Sequence, residues 1–224
     1  MSVFCRIWFS IALCFVSLCG AESQQFEQLL TQQIRAIGGT VLNDTDLPGE
    51  PITVVKLDGR PIPADVLRSF ARCRRLTVLS LRNTETTDAT LESISRIPNL
   101  TTLIVSKTRI TSKGIRHLRN LKDLQVLNCA NTAIDERARQ DLSALTTLRI
   151  LSLTNCSIGD DMVKAIAQLP EIEMLFLEGT KVTSMSLERL RQMTKLKLVS
   201  LTNTRIEKAD IERFRKEAPG VTVK

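Results

Sequence analysis

The sequence has few of the residues from which reactive or metal sites are built. It contains no tyrosine, one tryptophan and one histidine in 224 residues, and aromatic residues make up only 4% of it. This composition predicts an aliphatic core. The lone His117 does not make a Cys/His metal cluster, and no CxxC or HExxH motif is present. Because GxSxG, Walker-type and GxGxxG motifs are missing too, we expect a protein that is not an enzyme and uses no metal or cofactor.

Charge is nearly missing from residues 1–21, where Arg6 is the only charged side chain. The apolar run from Ile7 to Leu18 has the length of a secretory signal core and is short for a membrane span. Small residues in Cys19-Gly20-Ala21 predict cleavage before Glu22. We therefore expect an exported protein, periplasmic or extracellular, with no stable membrane span after cleavage. Retention of the segment as an anchor, or lipidation of its cysteines, stays open.

A repeat of 24 residues runs through the rest of the chain. Positions one, four, six and nineteen are apolar in all seven blocks, with Cys129 counted as a small hydrophobe. Positions four and six alternate as in a strand with one buried face, and positions sixteen and nineteen have helical spacing. Each block thus predicts a strand, a turn and a helix, in an α/β solenoid whose blocks bury one another's apolar faces. The blocks begin at Ile52, Leu76, Leu100, Leu124, Leu148, Ile172 and Leu196.

Several positions depart from the pattern or carry polar residues inside it. Position nine is threonine in five of the seven blocks, and we expect its hydroxyl to bond backbone groups in the turn. Arg60 at that position indicates an atypical first repeat. Arg139 occupies core position sixteen, and we expect the adjacent Ala138 to fill the core instead. Threonine, serine or aspartate just before the helical segments has the place of an N-cap.

Three cysteines lie outside the signal segment, an odd number that does not form a disulfide framework. Cys129 and Cys156 read as buried small hydrophobes, and Cys73 is expected to be the thiol that reaches solvent.

The ends of a solenoid need covering. We assign residues 22–51 to an N-terminal cap, 52–219 to the seven repeats and 220–224 to a C-terminal capping strand. A short strand is expected at 40–42 in the N-terminal cap. Its helix is expected to present one apolar face made of Phe26, Leu29, Leu30, Ile34 and Ile37.

The consensus L-x-x-L-x-L-x-x-T-x-I-T-D-x-x-L, followed by a helix, resembles the exported leucine-rich-repeat proteins abundant in planctomycete-like bacteria. The segment 36–41, with 52–57 after it, is similar to the cap before their repeats, and the resemblance covers about residues 34–224. It implies a right-handed αβ horseshoe with a parallel sheet on the concave face and helices on the convex face. It also implies a binding or structural role and supplies no catalytic residues.

Positions three, five and seven are expected on the concave face, and position three is apolar in six of seven blocks. Apolar anchors within a polar rim are typical of protein interfaces, so a protein partner is one interpretation. The other is that neighbouring strands half cover this row and β-branched residues suit strands. The candidate contact residues are Val126, Ile150, Met174, Leu198, Ile104, Phe176, Arg82 and Glu178.

The net charge of +7 supports a second candidate surface, on the convex side. Arginines of the predicted helices would attract an acidic polysaccharide by long-range steering, or they simply keep this face solvated. Nucleic acid is disfavoured because aromatic residues for base stacking are missing and the protein is expected to be exported. The arginines concerned are Arg68, Arg72, Arg75, Arg116, Arg119 and Arg215.

Overall fold

A computed structural model describes residues 22–224, and the expected signal segment at 1–21 lies outside them. Strands and helical segments alternate along this part of the chain, and its nine strands form one sheet in sequence order. The strands are β1 Thr40–Asn43, β2 Ile52–Lys56, β3 Val78–Ser80, β4 Thr102–Ile104, β5 Val126–Asn128, β6 Ile150–Ser152, β7 Met174–Phe176, β8 Leu198–Ser200 and β9 Thr222–Val223.

The helical segments lie between the strands, and several contain a turn of 3₁₀ helix. The α-helices are α1 22–36, α2 Ala64–Ser69, α3 Asp88–Ile94, α4 Ser112–Ile115, α5 Arg139–Leu142, α6 Asp160–Ile166, α7 Leu187–Arg191 and α8 Lys208–Glu217. The 3₁₀ turns are Phe70–Arg72, Arg116–Asn120, Glu136–Ala138 and Ser184–Ser186.

The sheet is parallel except at its first pair. Strand β1 runs antiparallel to β2, and the pairs from β2 to β9 are parallel. Val54 pairs with Val78 and Val78 with Thr102, so each step advances 78 − 54 = 24 residues. This register places the same repeat position side by side on neighbouring strands, and equivalent side chains form rows across the sheet.

The core lies between the sheet and the helices. The central residues of the inner strands, such as Leu79 and Leu127, are 0% exposed, as are helix residues such as Leu118 and Ile166. Full burial of one such aliphatic side chain contributes about 1.5–3 kcal/mol, and the cluster continues without a break from Leu30 to Phe214. The predicted aliphatic core is confirmed.

In the five repeats with threonine at position nine, its hydroxyl bonds a backbone carbonyl in the turn after the strand, as predicted. The Thr84 hydroxyl donates to the carbonyl of Leu81 at 2.7 Å, and the Thr180 hydroxyl donates to that of Leu177 at the same distance. In the fifth repeat the Cys156 thiol replaces this hydroxyl and lies 3.3 Å from the carbonyl oxygen of Cys129. Both of these cysteines are buried, as expected.

Helix starts in neighbouring repeats are joined by aspartate. The Asp88 carboxylate accepts from the backbone N–H of Thr111 at 2.8 Å and from its hydroxyl at 2.7 Å. Asp160 does the same for Thr183, at 3.0 and 2.7 Å. Thr111 and Thr183 are themselves N-caps whose side chains accept from the helix backbone, which confirms the predicted caps. Each bonded pair therefore fixes one helix to the next.

Leu29 and Cys73 differ from their predicted exposure, whereas Ala138 agrees with it. Leu29 is 55% exposed, because it lies about 100° around the helix from the buried Leu30. Cys73 is 0% exposed, since it occupies repeat position twenty-two, where other repeats bury Ile97 and equivalent apolar residues. In the fourth repeat Ala138 is 0% exposed, which confirms its replacement of the neighbouring arginine in the core.

Candidate binding face

Within residues 22–224 the helices pack against one side of the sheet, and we call the other side the open face. Side chains at repeat positions three, five and seven point to it, because they alternate with the buried positions of the strands. The position-three side chains are half-buried and pair from strand to strand. Leu42 of β1 extends this row, since it pairs with Val54 and is 54% exposed. The row consists of Leu42, Val54, Val78, Thr102, Val126, Ile150, Met174, Leu198 and Thr222.

At position five, each of the two large apolar side chains has a buried serine as a neighbour. Phe176 pairs with Ser152 on one side and with Ser200 on the other, and these serines are 8% and 2% exposed. The phenyl ring therefore stands above its serine neighbours. Ile104 pairs with the buried Ser80 in the same way.

The candidate residues of the open face do not all meet. Ile150, Met174 and Leu198 are direct strand neighbours, and Phe176 is two residues after Met174 on β7. Val126 continues the row on β5, next to the strand that carries Ile104.

The polar candidates Arg82 and Glu178 follow the carboxyl ends of β3 and β7, four strands apart. At about 4.8 Å per strand this separation is about 19 Å, so they do not form a pair. Glu178 instead accepts from the Thr154 hydroxyl at 2.5 Å.

Charged side chains border the apolar row at the amino ends of β6 to β8. Glu173 lies between Lys197, whose Nζ is 2.8 Å away, and Arg149, whose Nε is 2.8 Å away. Hydrogen bonds from Lys197 and then Arg149 lower the pKa of this carboxyl. The three residues form a charged rim that sequence reasoning did not identify, although their 24-residue spacing is visible in the sequence.

The arginines of the alternative basic surface are spread over the first, third and last repeats. Arg72 lies 3.7 Å from the centroid of the Phe26 ring. Arg119 bonds Asp141 at 2.6 Å, and Arg215 bonds Glu212 at 2.5 Å and the carbonyl of Val223 at 3.1 Å. The remaining three, Arg68, Arg75 and Arg116, have no ion pair within residues 22–224.

The described part of the chain offers no metal site and no reactive thiol. Residues 22–224 contain no group of three or more His, Cys, Asp or Glu side chains placed to hold a metal ion. Burial raises the pKa of Cys73 to about 12, with a further contribution from Glu27, and burial also raises the pKa values of Cys129 and Cys156. Among the helices of the same residues, none combines the length and apolarity needed to span a membrane.

Comparisons with known proteins agree with this architecture. A family model for the leucine-rich repeat matches residues 144–167. A leucine-rich-repeat protein of Leptospira interrogans is similar in structure, with a TM-score of 0.55, 19% identity, and coverage of 77% of this chain and 48% of that one. Internalin C2 of Listeria monocytogenes gives a TM-score of 0.54 and 18% identity, with 80% and 83% of the two chains covered.

An internalin of the same species, the inlF product, gives a TM-score of 0.53 and 20% identity over 70% of this chain and 43% of that one. This chain thus spans less than half of the Leptospira protein and of that internalin. No curated protein sequence matches it significantly. At these identities the comparisons establish the fold, which is a leucine-rich-repeat solenoid.

Proposed function

We propose that this chain is a protein-binding module of the cell envelope that contacts its partner through the open face and carries out no catalysis. The observation that carries the proposal is the apolar row, which is unbroken from Val126 to Leu198 and has Phe176 beside it on β7. Helices pack against the other side of the sheet, so the row is not part of the core.

Physical chemistry supports a binding role for this row. Position three does not fill the core, and polar residues would fit a solvated strand equally well. Burial of apolar surface contributes about 25 cal/mol per Å2, so a partner that covers this row gains several kcal/mol. The charged rim at Glu173 matches the usual composition of an interface, which is apolar in the centre and polar at the border.

The location in the envelope rests on the sequence of residues 1–21 and on the resemblance to exported planctomycete-type repeat proteins. The solenoid fold provides a scaffold for binding but does not determine which partner is bound. An acidic polysaccharide held by the helix-side arginines is the competing proposal. Ion pairs of Arg119 with Asp141 and of Arg215 with Glu212 reduce the charge available for it.

The test is capture of proteins from an envelope extract by three forms of the purified protein. The first is the wild type, and the second is the open-face variant Ile150→Asp/Phe176→Asp. The third is the control variant Leu29→Asp/Met185→Asp, which makes the same change at residues 55% and 79% exposed on the helical side. We expect the wild type and the control to retain a protein that the open-face variant loses, with unchanged circular dichroism. Equal capture by all three, abolished at about 0.5 M salt, would refute the proposal in favour of the arginines.

A further inference from the structure

In the first three repeats, positive side chains lie on the open face at Lys56 and Arg82 and in the turn after β4 at Lys107. Lys56, Arg82 and Lys107 are exposed, and none has an ion pair within residues 22–224. The nearby carboxylate of Asp58 accepts from the Ser80 hydroxyl at 2.5 Å and from the backbone N–H of Arg82 at 3.1 Å. Asp58 is thus bonded to a hydroxyl and a backbone N–H. The side chains of Lys56, Arg82 and Lys107 therefore remain available to solvent or to a partner.

Two of these positive side chains line a depression next to an apolar residue. The depression has a volume of about 290 Å3 and lies over the ends of β3 to β5. Its lining includes Arg82, Lys107, Ile104 and the amide side chains of Asn128 and Asn131. Asp58 also lines it, and its carboxylate accepts hydrogen bonds from Ser80 and from the backbone N–H of Arg82. Cationic and amide donors around a shallow apolar floor suit the carboxylate of an acidic side chain, which pairs with an arginine fork in particular.

The backbone at Lys107 provides a separate observation. Lys107 has a φ of 56°, in the left-handed region that disfavours residues other than glycine and asparagine. The equivalent position in every other repeat is glycine or asparagine, also at positive φ: Gly59, Asn83, Asn131, Asn155, Gly179 and Asn203. Local strain of this kind is typical of functional positions, and here it places an ammonium group beside the depression.

The other half of the open face carries the neighbouring apolar side chains of Ile150, Met174 and Leu198, beside the polar Glu178. Phe176 stands on β7, four strands from β3, where Arg82 follows. Four steps of about 4.8 Å give about 19 Å, and an extended peptide that advances about 3.4 Å per residue crosses this distance in about six residues. On β5 and β6 between them, Asn128 and Ser152 occupy position five, next to Val126 and Ile150 at position three.

We propose that the open face takes an extended segment of a protein partner, with an Asp or Glu over Arg82 and Lys107 and a large apolar side chain against Phe176, about six residues apart. This inference rests on the proposed function and specifies the chemistry of the partner. The acidic residue is inferred from charge complementarity with Arg82 and Lys107. A peptide is favoured over a uniformly acidic polysaccharide because apolar side chains such as Phe176 would gain nothing from a polymer that is charged throughout.

The probe is a phage-displayed library of random dodecapeptides, selected on the purified protein. We expect enriched peptides to combine an acidic residue with Phe, Leu or Met at the stated spacing. For a synthetic copy of one selected peptide, Arg82→Glu/Lys107→Glu is expected to raise the Kd about tenfold or more, because charge-assisted hydrogen bonds are lost and repulsion replaces them. The control Arg68→Glu/Lys113→Glu, with the same charge change on the helical side, is expected to leave the Kd unchanged.

Lys107→Asn separates a binding role from a structural one. Asparagine is better suited to the left-handed backbone, so this variant is expected to unfold at a higher denaturant concentration while it binds the selected peptide several-fold more weakly. A higher midpoint with unchanged affinity would overturn the role assigned to Lys107.

The remaining outcomes distinguish this inference from the proposed function. Enrichment of apolar peptides without acidic residues overturns the inference and leaves the proposed function standing. Equal enrichment on Ile150→Asp/Phe176→Asp overturns both. Failure to enrich any peptide, together with binding of polygalacturonate that Arg68→Glu/Lys113→Glu abolishes, overturns both in favour of the acidic polymer.

Discussion

Gly59 and Gly179 occupy the same turn position in the first and sixth repeats, with φ of 67° and 66°. They differ in the space available to a side chain. A Cβ at residue 59 would meet only Asn83 Nδ2, at 3.7 Å. A Cβ at residue 179 would overlap the side-chain oxygen of Asn155 and lie 3.1 Å from its Cγ. Alanine at the two sites therefore separates backbone strain from side-chain collision.

The magnitudes follow from these contacts. Left-handed backbone at alanine costs about 1 kcal/mol relative to glycine, so Gly59→Ala is expected to lower the free energy of unfolding by about that amount. Gly179→Ala pays the same strain and also displaces Asn155, whose amide donates to Asn131 Oδ1 at 3.0 Å. Loss of that exposed hydrogen bond and the displacement add about 0.5–1.5 kcal/mol, for a total near 2 kcal/mol.

Urea unfolding followed by circular dichroism measures both variants, with an unchanged m-value as the condition for the comparison. The matched test is Gly179→Ala in an Asn155→Gly background, which keeps glycine at the left-handed backbone of residue 155 and removes the colliding side chain. There the alanine is expected to cost only the strain of about 1 kcal/mol. Equal costs for Gly59→Ala and Gly179→Ala would refute the collision, and a neutral Gly179→Ala would refute the left-handed turn itself.

Three further predictions concern the cap, the helix starts and the buried thiols. Glu27→Ala removes the acceptor for the buried N–H of Ile52 and is expected to destabilise the cap by about 1–3 kcal/mol. Faster amide hydrogen exchange in residues 22–36 would show this loss, and the control Leu29→Ala is expected to leave the exchange rates unchanged. Burial acts to raise the pKa of Asp160, but hydrogen bonds from Ser186 and Thr183 outweigh it and lower the pKa below 3.8. The stabilisation by this carboxylate is therefore present above about pH 4 and lost as the pH falls through the folded pKa, so Asp160→Asn should flatten the acid side of the stability profile. With its pKa raised to about 12, Cys73 is expected to resist iodoacetamide at pH 8 until urea unfolds the protein, as peptide mass mapping would show.

The core was predictable because it depends on spacing alone. Leu79, Leu103 and Leu127 recur every 24 residues, and stacking of identical units demands the same apolar position in each. The irregular fourth repeat also follows from the sequence, since Ala138 is adjacent to Arg139 and is buried at the end of a 3₁₀ turn. The burial of Cys73 follows from its place at repeat position twenty-two, which other repeats fill with buried apolar residues. Its residue type alone gives the wrong prediction of solvent exposure.

Contacts between repeats were harder to foresee. The bond from Thr111 to Asp88 joins residues 23 apart, and neither residue alone is unusual at a helix start. Lysine does not by itself indicate a positive φ, so the sequence at Lys107 gives no sign of it. Asparagine and glycine at the equivalent positions of the other repeats do indicate it. Glu27 was overlooked because a charged residue on a cap helix is expected in solvent, and its partner is a backbone N–H that no sequence pattern reveals.

Differences among the repeats matter more for function than their similarities. Positions one, four and six are constrained by packing and therefore carry almost no information about a partner. The open-face positions are free of that constraint, yet they are not random. Arg82, and Lys107 in the adjoining turn, have no ion pair within residues 22–224, and large apolar side chains lie at Met174 and Phe176. Since the fold does not require either feature, a ligand that is acidic at one end and apolar at the other accounts for both. A partner without that polarity would leave the left-handed backbone of Lys107 and the half-buried ring of Phe176 on the open face unexplained.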